Sequence, residues 1–246
     1  MTEYDKIQLS KVEILKNILL GFGICTIVDY LFYESVWMMI LWIPLQFLFL
    51  YVDKKQKIKK RKERLWGQFL MALKSMGTSL YAGYSMENAV RACRKELELL
   101  YGKQSELVRE FRYMESQMEV SVPLEKLFLD LGERSRISDI ENFAAVYQIA
   151  RKTGGNLGEI MKKTSRMLEE KKDTEQEIMA AVAGRKAEQQ IMSLMPAGII
   201  FYLKMTSPGF LDVMYGNFFG ILCMTIFLGI YIGAWILGIK IVEIRV

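Results

Sequence analysis

The sequence predicts an all-α membrane protein with about four transmembrane helices and one cytoplasmic six-helix antiparallel bundle. Apolar residues make up 52% of the 246 residues and charged residues 25%, and the two classes are segregated along the chain. This segregation is typical of a membrane protein that carries an aqueous domain. Residues 65–190 have helical apolar periodicity throughout, and a dense basic run separates them from the apolar residues that precede them.

The composition argues against most enzyme chemistry. The chain contains no histidine, which removes the commonest general base, the usual catalytic triads and most zinc sites. Its three cysteines, Cys25, Cys93 and Cys223, are scattered without a CxxC pair and are predicted to be small core residues. We therefore expect no catalytic site, no metal site and no cofactor.

Residues 1–13 are predicted to be a cytoplasmic tail, and residues 14–52 a transmembrane hairpin of two spans. The first span, Ile14–Phe32, is interrupted by Lys16 and Asp29, whereas the 18 residues from Ser35 to Val52 are uncharged. A signal peptide is disfavoured, because no small-residue cleavage site follows and a second apolar segment comes at once. The three residues between the spans are predicted to form a turn.

Residues 53–64 are predicted to be a basic juxtamembrane linker. They hold eight cations within eleven residues: Lys54, Lys55, Lys57, Lys59, Lys60, Arg61, Lys62 and Arg64. Because cationic loops next to membrane spans stay in the cytoplasm, this run orients the chain. A nucleic-acid site is disfavoured, since no aromatic residues interleave the cations and the membrane context explains them.

Residues 65–190 are predicted to form the bundle, through six amphipathic helices. Ala82-Gly83 ends the first helix, Ser85 caps the second, and Pro123 opens the fourth. A capping box from Ser138 to Glu141 is predicted to start the fifth. The predicted buried stripes are Leu65, Phe69, Leu73, Met76 and Leu80; Met86, Ala89, Val90, Cys93, Leu97 and Leu100; Leu107, Phe111, Met114 and Met118; Leu124, Leu127, Phe128 and Leu131; Ile140, Phe143, Ala144, Tyr147 and Ala150; and Leu157, Ile160, Met161, Thr164, Met167 and Leu168.

A tight corner joins the fifth and sixth helices. Gly154 and Gly155 are expected to supply the positive φ that ends one helix, and Asn156 to cap the next by accepting a backbone N–H. Glu159 lies where the carboxylate of a capping box belongs. The sixth helix then has no glycine or proline between Glu159 and Ala183, so we expect it to continue into the third apolar segment.

Residues 191–241 are predicted to form a C-terminal pair of transmembrane helices, and residues 242–246 a cytoplasmic tail. Pro196 is expected to kink the first of the pair, and Asp212 to mark an outer loop. The second of the pair lies within residues 213–239, which are uncharged for 27 positions. Four spans, with both termini and one large loop in the cytoplasm, satisfy the charge pattern.

The helical region resembles the F-domain family of bacterial type II secretion and pilus-assembly platform proteins, and specifically its short tight-adherence (Tad) pilus branch. Four features carry the resemblance, which extends over about residues 65–194: the turn at Gly83, the helix start at Pro123, the Gly154-Gly155-Asn156-Leu157 corner, and Met195-Pro196 where the chain enters the membrane. At Arg151-Lys152-Thr153 the chain departs from the family, because many relatives have an acidic residue there.

The resemblance implies a platform protein, not an enzyme, in the bacterial inner membrane. It implies that the chain links a cytoplasmic hexameric assembly ATPase to the extraction and assembly of pilin-like subunits. Longer members carry two such domains in tandem. A chain with one is therefore expected to pair with a second F-domain protein or with itself.

Three other functions remain open from the residues. A transporter or channel subunit would need intramembrane ionisable residues, and a membrane enzyme a carboxylate cluster in a span. A membrane signalling or interaction scaffold would transmit conformation through the long sixth helix. Asp29 and Lys204 are predicted to lie at similar depth near the outer ends of their spans, where they either extend to the headgroups or form an intramembrane ion pair.

Overall fold

The computed structural model describes Tyr4 and residues 11–32, 42–207, 209–210 and 217–242. Its regular elements are eight helices in the order α1 (Lys11–Phe32), α2 (Trp42–Tyr81), α3 (Met86–Tyr101), α4 (Glu106–Glu119), α5 (Leu124–Ser135), α6 (Ser138–Thr153), α7 (Leu157–Thr206) and α8 (Phe218–Val242). These ranges contain no strand. The all-helical class is therefore confirmed.

Two of the helices are much longer than the rest. Helix α2 has 40 residues and includes the whole basic run, which the sequence analysis treats as a linker. Lysine, arginine and glutamine are good helix formers, and no glycine or proline occurs between Pro44 and Gly67, so nothing interrupts the helix there. Helix α7 has 50 residues, which confirms that it continues unbroken into the third apolar segment, with Pro196 inside it.

One compact unit contains Tyr4 and residues Asp53–Asp173, and within it lie the bundle part of α2, the helices α3 to α6 and the start of α7. Its core is aromatic. The Phe128 ring lies 5.2 Å from the centroids of Phe143 and Tyr147 and 6.5 Å from that of Phe111, each in an edge-on arrangement. Phe69 of α2 meets Phe143 in the same way at 5.3 Å. Edge-on rings stabilise beyond their buried area, so these contacts fix four helices together.

The predicted apolar stripes account for most of this core, with two clear exceptions. Leu100 is 57% exposed and Met167 is 60% exposed, so their predicted burial is wrong. Leu100 lies one residue before the end of α3, beyond Leu97, which is the last buried position of that helix. Met167 follows the periodicity only loosely, and the neighbouring Leu168 takes the buried position on α7.

A second compact unit contains the described parts of residues 9–52 and 174–246. Within it α7 and α8 pack antiparallel, because Tyr231 of α8 donates a hydrogen bond to the Ser193 carbonyl oxygen at 2.5 Å and Gly238 lies against Gln189. A Cβ on Gly238 would come within 2.9 Å of the Gln189 amide nitrogen. The Gln189 side chain would therefore have to shift to make room for a Cβ at Gly238.

Among the described residues, one helical stretch is long and apolar enough to cross a membrane, Phe219–Gly238 of α8. Its apolar side chains are largely exposed within this unit, for example Phe219 at 78% and Ile230 at 62%. Apolar surface exposed in this way is stabilised by lipid rather than by water. This span agrees with the last of the four predicted spans, and the other three are not confirmed. The predicted turn after Phe32 and the outer loop at Asp212 lie outside the described residues.

Candidate functional site

The corner motifs singled out in the sequence all lie at one end of the bundle, which we call the turn end. It consists of the α2–α3 turn with Gly83, the α4–α5 turn with Pro123, and the α6–α7 turn with Gly154. Because consecutive helices joined by short turns run antiparallel, alternate turns share an end of the bundle. Each of these three turns contains a residue with positive φ: Gly83 at 88°, Ser121 at 63° and Gly154 at 70°.

In the α6–α7 turn each residue has a separate structural role. Gly154 is left-handed and ends α6, and the Gly155 N–H donates to the Ala150 carbonyl oxygen at 2.9 Å. The expectation of positive φ at Gly155 is wrong, because Gly154 alone has it here. Asn156 caps α7 as predicted, its side-chain oxygen accepting from the Glu159 N–H at 3.2 Å.

The other predicted caps differ in detail. Ser85 caps α3 as expected, since its hydroxyl oxygen accepts from the Asn88 N–H at 3.3 Å. Pro123 is the residue before α5 rather than its first residue. The capping box predicted at Ser138 is wrong, because Ile137 precedes α6 and Ser138 is already helical. The α5–α6 connection is too short for a capping box that starts at Ser138. Arg136, in the left-handed conformation, ends α5, and only Ile137 separates it from the first residue of α6.

An ion pair joins the start of α3 to the end of α6 at the turn end. Arg151 donates to Glu87 at 2.9 Å. Burial pushes the pKa of Glu87 upward, but hydrogen bonds from its own backbone and from Arg151 outweigh burial and lower the pKa below its ordinary value. Tyr147 lies beneath this pair, fully buried, and burial raises its pKa to about 12. Arg151 is thus a structural cation that joins the end of α6 to the start of α3.

A second polar cluster lies inside the bundle, and the sequence analysis did not find it. The Tyr4 hydroxyl donates to Glu110 Oε1 at 2.9 Å, and the Arg134 guanidinium donates to both Glu110 oxygens at 2.9 and 2.6 Å. Tyr4 is 1% exposed and Glu110 is 4% exposed. The one local signal is that Glu110 interrupts the apolar stripe of α4, between Leu107 and Phe111.

The basic run has more than one role in the structure. Its first cations, such as Lys54 and Lys55, are exposed, as an orienting charge cluster should be. Arg61, in contrast, is partly buried, and its guanidinium lies 4.8 Å above the Tyr4 ring. Arg61 and Arg64 also approach Glu106 at the start of α4, at 3.9 and 3.8 Å. The end of this run therefore helps to hold the bundle together.

Lys204 of α7 meets α1 in the second unit at Tyr30, the residue after Asp29. The Lys204 ammonium donates to the Tyr30 carbonyl oxygen and lies 4.2 Å from the centre of the Tyr30 ring. One carboxylate oxygen of Asp29 is buried and has no hydrogen-bond partner among the described residues. Lys204 therefore contacts the neighbour of Asp29 in the sequence, and an ion pair with Asp29 itself remains a prediction.

The described residues contain no group of three or more histidine, cysteine or acidic side chains placed to hold a metal ion. A shallow cavity of about 360 Å³ opens between α2 and α7, lined by Lys74, Gly77, Thr78, Tyr81, Lys162 and Ser165. Lys74 is paired with Glu169, and Lys162 lies 5.8 Å from the centre of the Tyr81 ring. Each of these two lysines therefore links α2 to α7 across the cavity.

Comparison with known families gives one result. A family model described as "Type II secretion system (T2SS), protein F" matches residues 72–203. The match runs from the bundle part of α2 through α3, α4, α5 and α6 and nearly to the end of α7, which is more than half of the chain. No curated protein and no solved structure matches the chain. The chain therefore belongs to the type II secretion system protein F family.

Proposed function

We propose that this chain is an inner-membrane platform protein of a type II secretion or Tad-type pilus machine, which couples a cytoplasmic ATPase to the extraction and assembly of pilin-like subunits. The family match over residues 72–203 carries this proposal. Proteins of the family associate with the inner membrane and work with a secretion ATPase and pilins.

The helical architecture supports a coupling role. Helix α7 is continuous from Leu157 in the bundle to Thr206, beyond Pro196. A continuous helix transmits displacement of one end to the other, because its backbone hydrogen bonds resist local bending except at the proline. The chain also lacks a G-x-x-x-x-G-K-[ST] sequence, so we expect it to depend on a partner for nucleotide hydrolysis.

The position of Tyr4 supports the proposed topology. Tyr4 is buried in the bundle, and the proposed topology accordingly has Tyr4 and the bundle on the same side of the membrane. An even number of crossings between Tyr4 and Asp53, such as a two-span hairpin over residues 14–52, satisfies this arrangement. The eight cations that follow favour the cytoplasm for that side.

The turn end is the surface that we assign to the ATPase. It presents exposed apolar side chains that include Tyr81 at 60%, Tyr84 at 55%, Val120 at 67% and Ile149 at 61%. Exposed aromatic residues are enriched at protein interfaces. The turn end also lies opposite the end at which α2 enters the bundle. A second F-domain protein, or a second copy of this chain, is the further partner that a single F domain implies.

Photocrosslinking in cells tests this assignment. A photoreactive amino acid replaces Tyr84 at the turn end and, as the matched control, Leu99 near the opposite end of α3, which is 88% exposed. We expect the Tyr84 position to capture the assembly ATPase and the Leu99 position not to capture it. Capture at neither position, together with normal secretion in a strain that lacks the gene, would contradict the platform function.

Reconstitution provides a second measurement. The purified full chain alone should hydrolyse no ATP above a mock preparation, and adding it in nanodiscs should raise hydrolysis by the purified ATPase. ATP hydrolysis by the chain alone would overturn the proposal.

A further inference from the structure

Tyr4 is separated from its neighbours in the fold by most of the sequence. It precedes α1 by seven residues, yet its side chain is 1% exposed within the bundle formed by α2 to α7. Arg61 of α2 and Glu110 of α4 contact it directly, and Arg134 of α5 holds Glu110. We call these three side chains the tyrosine socket.

The socket recognises each part of a tyrosine side chain. The Arg61 guanidinium lies over the ring at 4.8 Å, which is within the range of a cation–π interaction. Glu110 accepts the hydroxyl hydrogen at 2.9 Å. Arg134 donates to both oxygens of that carboxylate, so the position of Glu110 does not depend on Tyr4. Phenylalanine would leave Glu110 without one of its donors.

The sequence around Tyr4 is complementary in charge to the basic run of α2. Glu3 and Asp5 flank the tyrosine, whereas the two arginines of the socket are already paired, Arg134 with Glu110 and Asp130 and Arg61 with Glu106. The cations Lys57, Lys60 and Arg64 lie on the same helix as Arg61, within one turn of it. Acidic side chains on both sides of the tyrosine favour its approach to such a surface.

We propose that the tyrosine socket is a peptide-binding site and that its occupant is the N-terminal segment of this chain, which serves as a detachable latch. When Tyr4 is seated, Glu110 accepts from both the Tyr4 hydroxyl and the Arg134 guanidinium. When Tyr4 leaves, Glu110 keeps the Arg134 guanidinium, and the socket is open to a tyrosine supplied by another peptide.

Binding of the segment in trans tests the proposal. Full-length chain carrying Tyr4→Ala, in nanodiscs, has an empty socket and should bind a labelled peptide of residues 1–10 saturably in fluorescence anisotropy. Wild-type chain should bind the peptide at least about tenfold more weakly, because the tethered segment competes at an effective concentration in the millimolar range. A peptide with Tyr4→Phe should bind about tenfold more weakly than the native peptide, because it lacks the hydrogen bond to a carboxylate. Equal binding to wild-type and Tyr4→Ala chains, or no binding to a helical Tyr4→Ala chain, would overturn the proposal.

A second measurement keeps the native tyrosine and does not depend on the folding of the Tyr4→Ala chain. Trypsin releases the N-terminal peptide that contains Tyr4 by cutting after Lys6. Mass spectrometry measures the rate at which this peptide is released. Arg61→Gln should raise this rate about two- to fivefold, through loss of the cation–π contact. The matched control is Arg64→Gln, which loses a similar contact to Glu106 but none to Tyr4. Equal rates for the two variants would show that Tyr4 is not held as a latch.

Discussion

Arg134 holds Glu110 by both carboxylate oxygens, at 2.9 and 2.6 Å, in the interior of the bundle. The same guanidinium reaches Asp130 at 2.8 Å. Burial alone would lower the pKa of Arg134, but hydrogen bonding and charge attraction from Glu110 and Asp130 raise its pKa above the ordinary value. Because α4 carries Glu110 and α5 carries Arg134, this pair fixes the register of two neighbouring helices.

Replacing Arg134 by alanine should lower the free energy of unfolding by about 3–5 kcal/mol, because Glu110 would remain buried without its counter-ion. The matched control is Arg151→Ala, since Arg151 and Glu87 are 42% and 35% exposed in their side chains. An ion pair as exposed as this contributes about 0–1 kcal/mol. Chemical unfolding of the full chain in nanodiscs, followed by circular dichroism, measures both. If the two variants lost similar amounts of unfolding free energy, the greater burial of the Arg134–Glu110 pair would not account for its contribution.

The α6–α7 turn offers a comparison of adjacent glycines. Gly154→Ala should destabilise the chain by about 1–2 kcal/mol, because a Cβ is disfavoured in the left-handed conformation. No atom lies within 4 Å of that Cβ, so the cost is conformational rather than steric. Gly155→Ala should have little effect, because its Cβ would make ordinary contacts with Ala150 at 3.6–3.7 Å. The melting temperatures of the two variants measure this difference. A larger fall for Gly155→Ala than for Gly154→Ala would refute the assignment of the left-handed conformation to Gly154.

The Glu87–Arg151 pair should make stability depend on pH in the acid range. The pKa of Glu87 is lower in the folded chain than its ordinary value of 4.5, so folding favours the ionised carboxylate. This contribution is fully present above pH 4.5 and is lost as the pH falls through the folded value. Glu87→Gln should therefore flatten the acid limb of a melting-temperature profile relative to wild type. An unchanged acid limb would show that the shift does not contribute.

Cysteine labelling tests the orientation of the bundle. A single cysteine at Gln104, an exposed position between α3 and α4, is introduced into a variant that lacks Cys25, Cys93 and Cys223. An impermeant maleimide should modify it in permeabilised cells and leave it unmodified in intact cells, because residues 53–190 are predicted to be cytoplasmic. Modification in intact cells would refute the topology.

A charge swap tests whether Asp29 and Lys204 form an ion pair. Asp29→Lys and Lys204→Asp should each reduce the amount of folded protein in the membrane, since like charges would then meet at a costly depth. The double swap should recover most of the loss if the two side chains interact. A double variant as poor as the two losses combined would show that Lys204 instead depends on Tyr30, which it contacts in the structure.

The helical class, the six bundle helices and most of their buried faces follow from the amino-acid sequence alone. Those properties depend on the local periodicity of apolar residues and on residues whose own conformational preferences begin or end a helix. Gly154 ends α6 and Asn156 caps α7 because of their own conformational preferences, whatever surrounds them. The uncharged length of α8 likewise predicts a membrane span from composition alone.

Two features depend on how the helices pack against one another. These are how far each apolar stripe is buried by the neighbouring helices, and which polar side chains contact each other in the interior of the bundle. Leu100 follows the apolar period of α3 but is exposed, because periodicity does not tell how far the neighbouring helices extend. Tyr4 and Glu110 are 106 residues apart, and no local pattern relates them. Their contact arises because the packing of three helices places Arg61, Glu110 and Arg134 around one space, and a buried carboxylate is stable only where such partners converge.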